Sequence, residues 1–153
     1  MASDNATNDI PWTVLYDSDC GFCKSSLALL LQVDRRHRLR PLALGTTEAD
    51  ELLADLTPDQ RAASWHLIAP SNQRWSAGQA LAPLLRLLGP AGRAPAALLD
   101  RIPQSADSGY AWVARHRSAL GRWLPTSAKR RAAQTIARRE RQAGTSSGRC
   151  SAR

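Results

Sequence analysis

Apolar residues along this chain come in short runs whose period changes from one stretch to the next. Trp12-Thr-Val-Leu-Tyr16 is a run of aromatic, β-branched and aliphatic residues, and it predicts a strand. Asp17-Ser-Asp-Cys-Gly21 then supplies turn and helix-capping chemistry. A helix is expected to follow from about Cys20 to Arg36, carrying Leu27, Leu29, Leu30, Leu31 and Val33. The apolar stretch Leu39–Leu44 predicts a second strand, which Pro41 places at a sheet edge or cuts short. A short helix is expected over 48–56, and Thr57-Pro58-Asp59 opens another. Trp65–Ala69 reads as a third strand, Pro70–Gln73 as a turn, and Arg74–Ser76 as a short returning strand.

Beyond Ser76 the period turns helical. Leu81, Leu84, Leu85 and Leu88 stand at i, i+3, i+4 and i+7, which predicts a helix from Gly78 to Leu88 ended by Gly89-Pro90. Further helices are expected near Pro95–Arg101 and over Ala106–Leu120, ahead of Gly121. A basic helix is expected over residues 126–142, with a thin apolar stripe of Ala132, Ala133, Ile136 and Ala137. The order β-α-β-α-β-β-α followed by helices implies an α/β sheet. No internal repeat is present.

Length and charge refine this picture. The 153 residues, 43% of them hydrophobic, suit one folded domain with one core. Residues 1–10 are polar and acidic and read as a disordered leader, without the basic and apolar regions of a signal peptide. The most apolar run, Leu27–Leu31, falls far short of the roughly 20 residues that span a bilayer. A soluble, cytoplasmic protein is therefore expected. Residues 1–121 carry 12 Lys/Arg against 12 Asp/Glu, whereas 122–153 carry nine basic residues against Glu140 alone. The excess of +8 thus sits in the tail. These observations divide the chain into the leader, a domain over 11–121, and a basic tail over 122–153, partly helical or disordered.

Three cysteines in a reducing compartment do not suggest a disulfide framework. Cys20 and Cys23 stand at C-x-x-C spacing after a strand and at the opening of a helix, where unpaired N–H groups and the helix dipole stabilise a thiolate. Helical phase assigns their roles. At ~100° per residue, Leu27, Leu30 and Leu31 fall within about 80° of Cys23, so Cys23 faces the core and Cys20 faces outward. Cys20 is the expected attacking thiol and Cys23 the resolving thiol. Asp17 and Asp19 oppose the helix terminus and Lys24 offsets them in part, so a moderately reactive, reducing pair is expected.

Tyr16-Asp17-Ser-Asp-Cys20-Gly-Phe-Cys23 resembles the opening motif of the DCC-type thiol–disulfide oxidoreductases, small bacterial proteins with an Asp-x-x-Cys-x-x-Cys signature. The strand Trp65–Ala69 followed by Gly78-Gln-Ala80 resembles the family's middle, and Tyr110-Ala-Trp112 with Arg115 and Arg117 resembles its C-terminal helix. The likeness covers about residues 12–121. It implies a thioredoxin-like α/β fold with additional C-terminal helices, a thiol–disulfide oxidoreductase activity, and a site at Asp17, Cys20 and Cys23. Two departures from ordinary thioredoxins stand out. No proline directly precedes Trp65, where those proteins place a cis-proline, and Gly21-Phe22 between the cysteines lacks one as well.

Other readings accompany these. The C-x-x-C pair could be half of a zinc site, but no second pair exists, and His37, His66, His116 and Cys150 are scattered. No metal, flavin or other cofactor is expected. Asp17 either caps the helix or accepts the Cys23 proton during resolution. Cys150 is expected to be incidental, with a third redox thiol as the alternative. His66 is expected to be a hydrogen-bonded core residue, and Trp112 and Trp123 to be packing residues. The expected substrate is a disulfide-containing protein or a small thiol compound; the sequence does not name the electron donor, for which glutathione and another dithiol protein are both open. The rival reading is a non-catalytic binding module whose basic tail contacts nucleic acid or an anionic surface. Under the redox reading, a chain ending at Gly121 is expected to keep its thiol activity.

Overall fold

The computed structural model describes residues 11–147, with side chains as far as residue 143; the leader 1–10 and Cys150 lie outside the described residues. Strand β1 (Trp12–Tyr16) leads into helix α1 (Gly21–Val33), and β2 (Leu39–Ala43) returns parallel to β1. Helices α2 (Thr47–Leu52) and α3 (Pro58–Ala63) precede β3 (His66–Ile68), which pairs antiparallel with β1, and β4 (Arg74–Ser76), antiparallel with β3. The strand order is β2-β1-β3-β4, so Pro41 does lie on an edge strand. A 3₁₀ turn (Ala77–Ala80) then opens α4 (Leu81–Leu87), followed by α5 (Pro90–Arg101), α6 (Pro103–Trp123) and α7 (Thr126–Ser147). This is a thioredoxin-like α/β fold extended by C-terminal helices.

Alternation along β1 divides the core. Val14 and Tyr16 face Leu27 and Leu31 of α1, Leu84 of α4 and Ile136 of α7. Leu15 points to the other side, onto Ala49 and Leu53 around α2. Both faces of β1 are covered, which explains why the strand is almost continuously apolar rather than alternating.

Helix α1 stops at Val33, three residues before the expected end, because Asp34 turns the chain. Its carboxylate accepts the backbone N–H groups of Arg38 (3.1 Å) and Leu39 (2.9 Å), holding the link into β2. Helix α5 begins at Pro90 rather than near Pro95. Pro90 suits the first helical turn, and the hydrogen bond that Pro95 lacks would have run to Ala91 on the exposed side. Gly92 allows α5 to cross α4 closely, since a Cβ there would lie 1.8 Å from the Leu85 carbonyl oxygen.

Helix α7 docks on α1. The thin stripe is enough: Ala132 and Ile136 are buried, and Arg139 is buried with them. The Arg139 guanidinium donates to the Asp34 carboxylate (2.8 Å) and to the carbonyls of Leu31 (2.8 Å) and Asp34 (3.2 Å). It thereby satisfies orphan carbonyls at the end of α1. One arginine of the basic tail is therefore a core residue.

Two aromatic expectations are overturned. Trp112 is exposed and stacks on His116 (4.5 Å between centroids), and Trp123 is 88% exposed, so neither packs in the core. Trp12 and Trp75 do pack, stacked at 5.4 Å against the main cluster. No helix among the described residues is long and apolar enough to cross a membrane.

Candidate active site

The turn after β1 places the two cysteines at the N-terminus of α1. Cys20 is the N-cap residue, with extended backbone (φ −87°, ψ 109°), and its Sγ accepts the Cys23 backbone N–H at 3.2 Å. A sulfur thus fills the position that Ser, Thr or Asp takes at most helix starts. Asp17 does not cap the helix; its Oδ1 accepts the Asp19 backbone N–H at 2.9 Å within the preceding turn. Both cysteines are free thiols and partly buried.

Burial pushes the Cys23 thiol up to about 12. Its hydrogen-bond relation to Cys20, the charge on Cys20 and the carboxylate of Asp17 act in the same direction, and Arg117 acts against them. Cys23 is therefore held as a neutral thiol.

Cys23 and Asp17 line a cavity of about 640 Å³ between α1, α4 and α6. Its walls are mostly aliphatic and aromatic, including Phe22, Leu30, Leu81, Leu84 and Val113. Tyr110 and Arg117 complete it from α6. The Tyr110 hydroxyl accepts the Trp65 backbone N–H at 3.0 Å, and burial raises its pKa. Arg117 approaches Asp17 at 3.8 Å and donates to the Ala62 carbonyl at 3.4 Å.

The resemblance that singled out Tyr110 and Arg117 did not assign them a role. Their spacing of seven, with Ala106 and Val113 between and before them, does put them on one helical face, and that face lines the cavity. Helix α6 runs on through Gly121, which is buried, instead of stopping before it. A Cβ at Gly121 would lie 3.4 Å from the Phe22 nitrogen, so the absent side chain lets α6 close on the Cys-Gly-Phe-Cys turn. Lys129 at the start of α7 flanks the same turn; a Cβ on Gly21 would stand 3.4 Å from its Cε. At the far end, the Tyr16 hydroxyl donates to Glu140 (3.2 Å), and burial together with that carboxylate raises Tyr16 to about 12.

Gly78 anchors α6 over the site. A Cβ at this position would fall 2.6 Å from Asp107 Oδ1 and 2.7 Å from the Ala106 carbonyl oxygen. Gly78→Ala is therefore expected to cost roughly 1–3 kcal/mol through overpacking, and to lower redox activity by displacing α6. A denaturant midpoint and an exchange rate measured on the same sample check both effects.

His66 behaves as a core residue. It is 1% exposed, its Nδ1 lies 2.7 Å from Ser76 Oγ, and its Nε2 lies 3.1 Å from the Arg61 carbonyl. A carbonyl only accepts, so Nε2 carries the proton and Nδ1 accepts from Ser76. Burial lowers its pKa, consistent with this neutral form. No group of three or more His, Cys, Asp or Glu side chains gathers into a metal-binding cluster among the described residues. Nor is any peptide bond there cis, and Trp65 follows Ser64 without a proline.

No curated protein and no solved structure matches the chain. A protein-family model described as DCC1-like thiol-disulfide oxidoreductase matches residues 14–123, from the middle of β1 to the end of α6. That span includes the two cysteines, Asp17, Tyr110 and Arg117. The chain belongs to the DCC1-like thiol-disulfide oxidoreductase family.

Proposed function

We propose that this protein performs dithiol–disulfide exchange, with Cys20 as the attacking thiol, Cys23 as the resolving thiol and Asp17 as the proton acceptor for Cys23. The observation that carries this reading is the placement of Cys20 Sγ at the N-cap of α1, 3.2 Å from the Cys23 N–H. Backbone N–H donors and the helix dipole stabilise negative charge on that sulfur, and a thiolate is the form that attacks a disulfide. Cys23 lines the cavity and stays protonated until the second step, which suits a resolving thiol.

The cycle balances within the pair. Cys20 attacks one sulfur of the substrate disulfide, whose S–S bond breaks and releases the first thiol. Cys23 gives its proton to Asp17 and attacks Cys20 Sγ; the mixed disulfide breaks, and the second substrate thiol leaves as the Cys20–Cys23 disulfide forms. The protein loses two electrons and the substrate gains them. A disulfide-containing protein or the disulfide form of a small thiol compound serves as substrate. Reducing surroundings restore the dithiol, and the cytoplasm is the compartment this reading assigns.

Cys23→Ser removes the resolving thiol, so a covalent adduct at Cys20 is expected to accumulate with substrate disulfides. Cys20→Ser is expected to form none. Non-reducing electrophoresis and intact-protein mass spectrometry read this directly. Equal trapping by both variants would reverse or remove the assignment, and no trapping together with no disulfide reduction by the wild type would end the oxidoreductase reading.

A further inference from the structure

The cavity beside Cys23 and the backbone of Trp65 together bear on what reaches the thiols. Trp65 immediately precedes β3 and lines the cavity with Cys23. Its N–H donates to the Tyr110 hydroxyl (3.0 Å), and its carbonyl accepts the Ala77 N–H (3.3 Å). Both main-chain groups are therefore occupied within the fold. β1 and β3 are interior strands, and the free sheet edges belong to β2 and β4. An extended polypeptide has no unpaired backbone ladder to join at Trp65 or on these inner strands, which removes the main-chain hydrogen bonds on which strand-addition recognition depends.

What the site offers instead is volume. A cavity of about 640 Å³ lies within the range that encloses small ligands. Along α6 the lining positions Ala106, Gly109, Tyr110, Val113, Ala114 and Arg117 form one continuous face. Three of them are Ala or Gly, so the helix leaves the space open rather than filling it. Opposite stand Leu30, Leu81 and Leu84. Apart from Asp17, Tyr110, Arg117 and three serines the lining is apolar, so a charged or strongly hydrated group would recover few of the hydrogen bonds it gives up on entering.

We propose that the substrate is a low-molecular-weight apolar disulfide, whose alkyl groups occupy this cavity while its S–S bond meets Cys20. This deepens the exchange reaction proposed above and rests on it. The dithiol reduces R–S–S–R to two R–SH molecules and becomes the Cys20–Cys23 disulfide, so one turnover of reduced protein needs no other reductant. Specificity comes from the alkyl chain: each added methylene is expected to raise kcat/KM by about fourfold until the cavity is full.

The experiment is single-turnover oxidation of the reduced full-length protein by dimethyl, diethyl, dipropyl and dibutyl disulfide, with glutathione disulfide and insulin in parallel. Diethyl to dibutyl disulfides release primary thiols of similar acidity, so a rising series reports the cavity rather than the chemistry. Gly109→Leu tests the same point from the protein side. A Cβ at Gly109 meets nothing within 4 Å, so the larger side chain enters open space, and it is expected to lower the rate with dibutyl disulfide at least tenfold and flatten the series. A flat wild-type series, or faster reaction with glutathione disulfide or insulin, overturns the apolar-substrate proposal while leaving the exchange reaction intact. Failure of a fully reduced protein to react with any of these disulfides overturns both.

Discussion

Arg139→Ala is expected to destabilise the protein by about 3–5 kcal/mol, the range for breaking a buried ion pair from one side. The side chains of Arg139 and Asp34 are 11% and 2% exposed. Removing the guanidinium leaves the Asp34 carboxylate buried with, among the described residues, the Arg38 and Leu39 N–H groups as its remaining partners. It also strips the Leu31 carbonyl of its Arg139 contact. Against a total stability of about 5–15 kcal/mol for a domain, that loss is a large fraction. Pairing Arg139→Met with Asp34→Asn removes both charges, and the double variant is expected to recover part of the deficit. Denaturant midpoints at constant slope give both numbers. A loss below about 1 kcal/mol for Arg139→Ala would mean that α7 is not held as described.

The same contacts change the expected outcome of truncation. Charge alone puts the domain boundary at Gly121, because every excess positive charge lies beyond it. That cut removes Ile136 from the main core and Arg139 from Asp34. It also takes away the start of α7, where Lys129 flanks Gly21 at the cysteine turn. The truncated chain is therefore expected to lose cooperative folding, and its thiol activity with it.

These positions show which features a sequence pattern can carry. β1, α1 and the cysteine pair were readable because each rests on local chemistry: an apolar run, turn residues, and a helix start two sulfurs share. The buried face of α1 was readable too, since Leu27 and Leu31 lie on it, whereas Cys20 and Cys23 are both only partly buried. The docking of α7 was not. Two small or aliphatic residues, Ala132 and Ile136, give little periodic signal, and an arginine at the next buried position reads as solvated until its partner 105 residues away is known. Trp123 misled in the opposite sense, because a large apolar residue is ordinarily assigned to a core and this one is 88% exposed. Tyr110 and Arg117 are distant in sequence from the thiols, and the packing of α6 over Gly78 and, at Gly121, against the Phe22 turn brings them to the cavity.

Replacing Asp17 by asparagine separates two effects of opposite sign. Burial pushes the Cys23 thiol well above its ordinary value and the Asp17 carboxylate adds to this, so Cys23 stays protonated at pH 7 even in the mixed disulfide, where Cys20 carries no charge. Resolution of the mixed disulfide therefore needs a base within the site. The Asp17 carboxylate raises the Cys23 pKa as a charge, and removing that charge alone would ease ionisation and speed resolution slightly. As a proton acceptor it does the reverse, and its loss slows resolution by roughly 10²–10⁴-fold. Asparagine keeps an oxygen for the Asp19 N–H, so the turn itself survives the change. The proposed role thus predicts a much slower second step in Asp17→Asn, while adduct formation at Cys20 is not slowed, because a charge opposing its thiolate has gone. Hydroxide must then take the Cys23 proton, and the residual rate is expected to climb about tenfold per pH unit toward the thiol's own ionisation. Rapid-quench mass spectrometry of the adduct's decay, followed across the alkaline range in both proteins, measures each slope. An unchanged or faster second step in Asp17→Asn would leave Asp17 only an electrostatic part in the site.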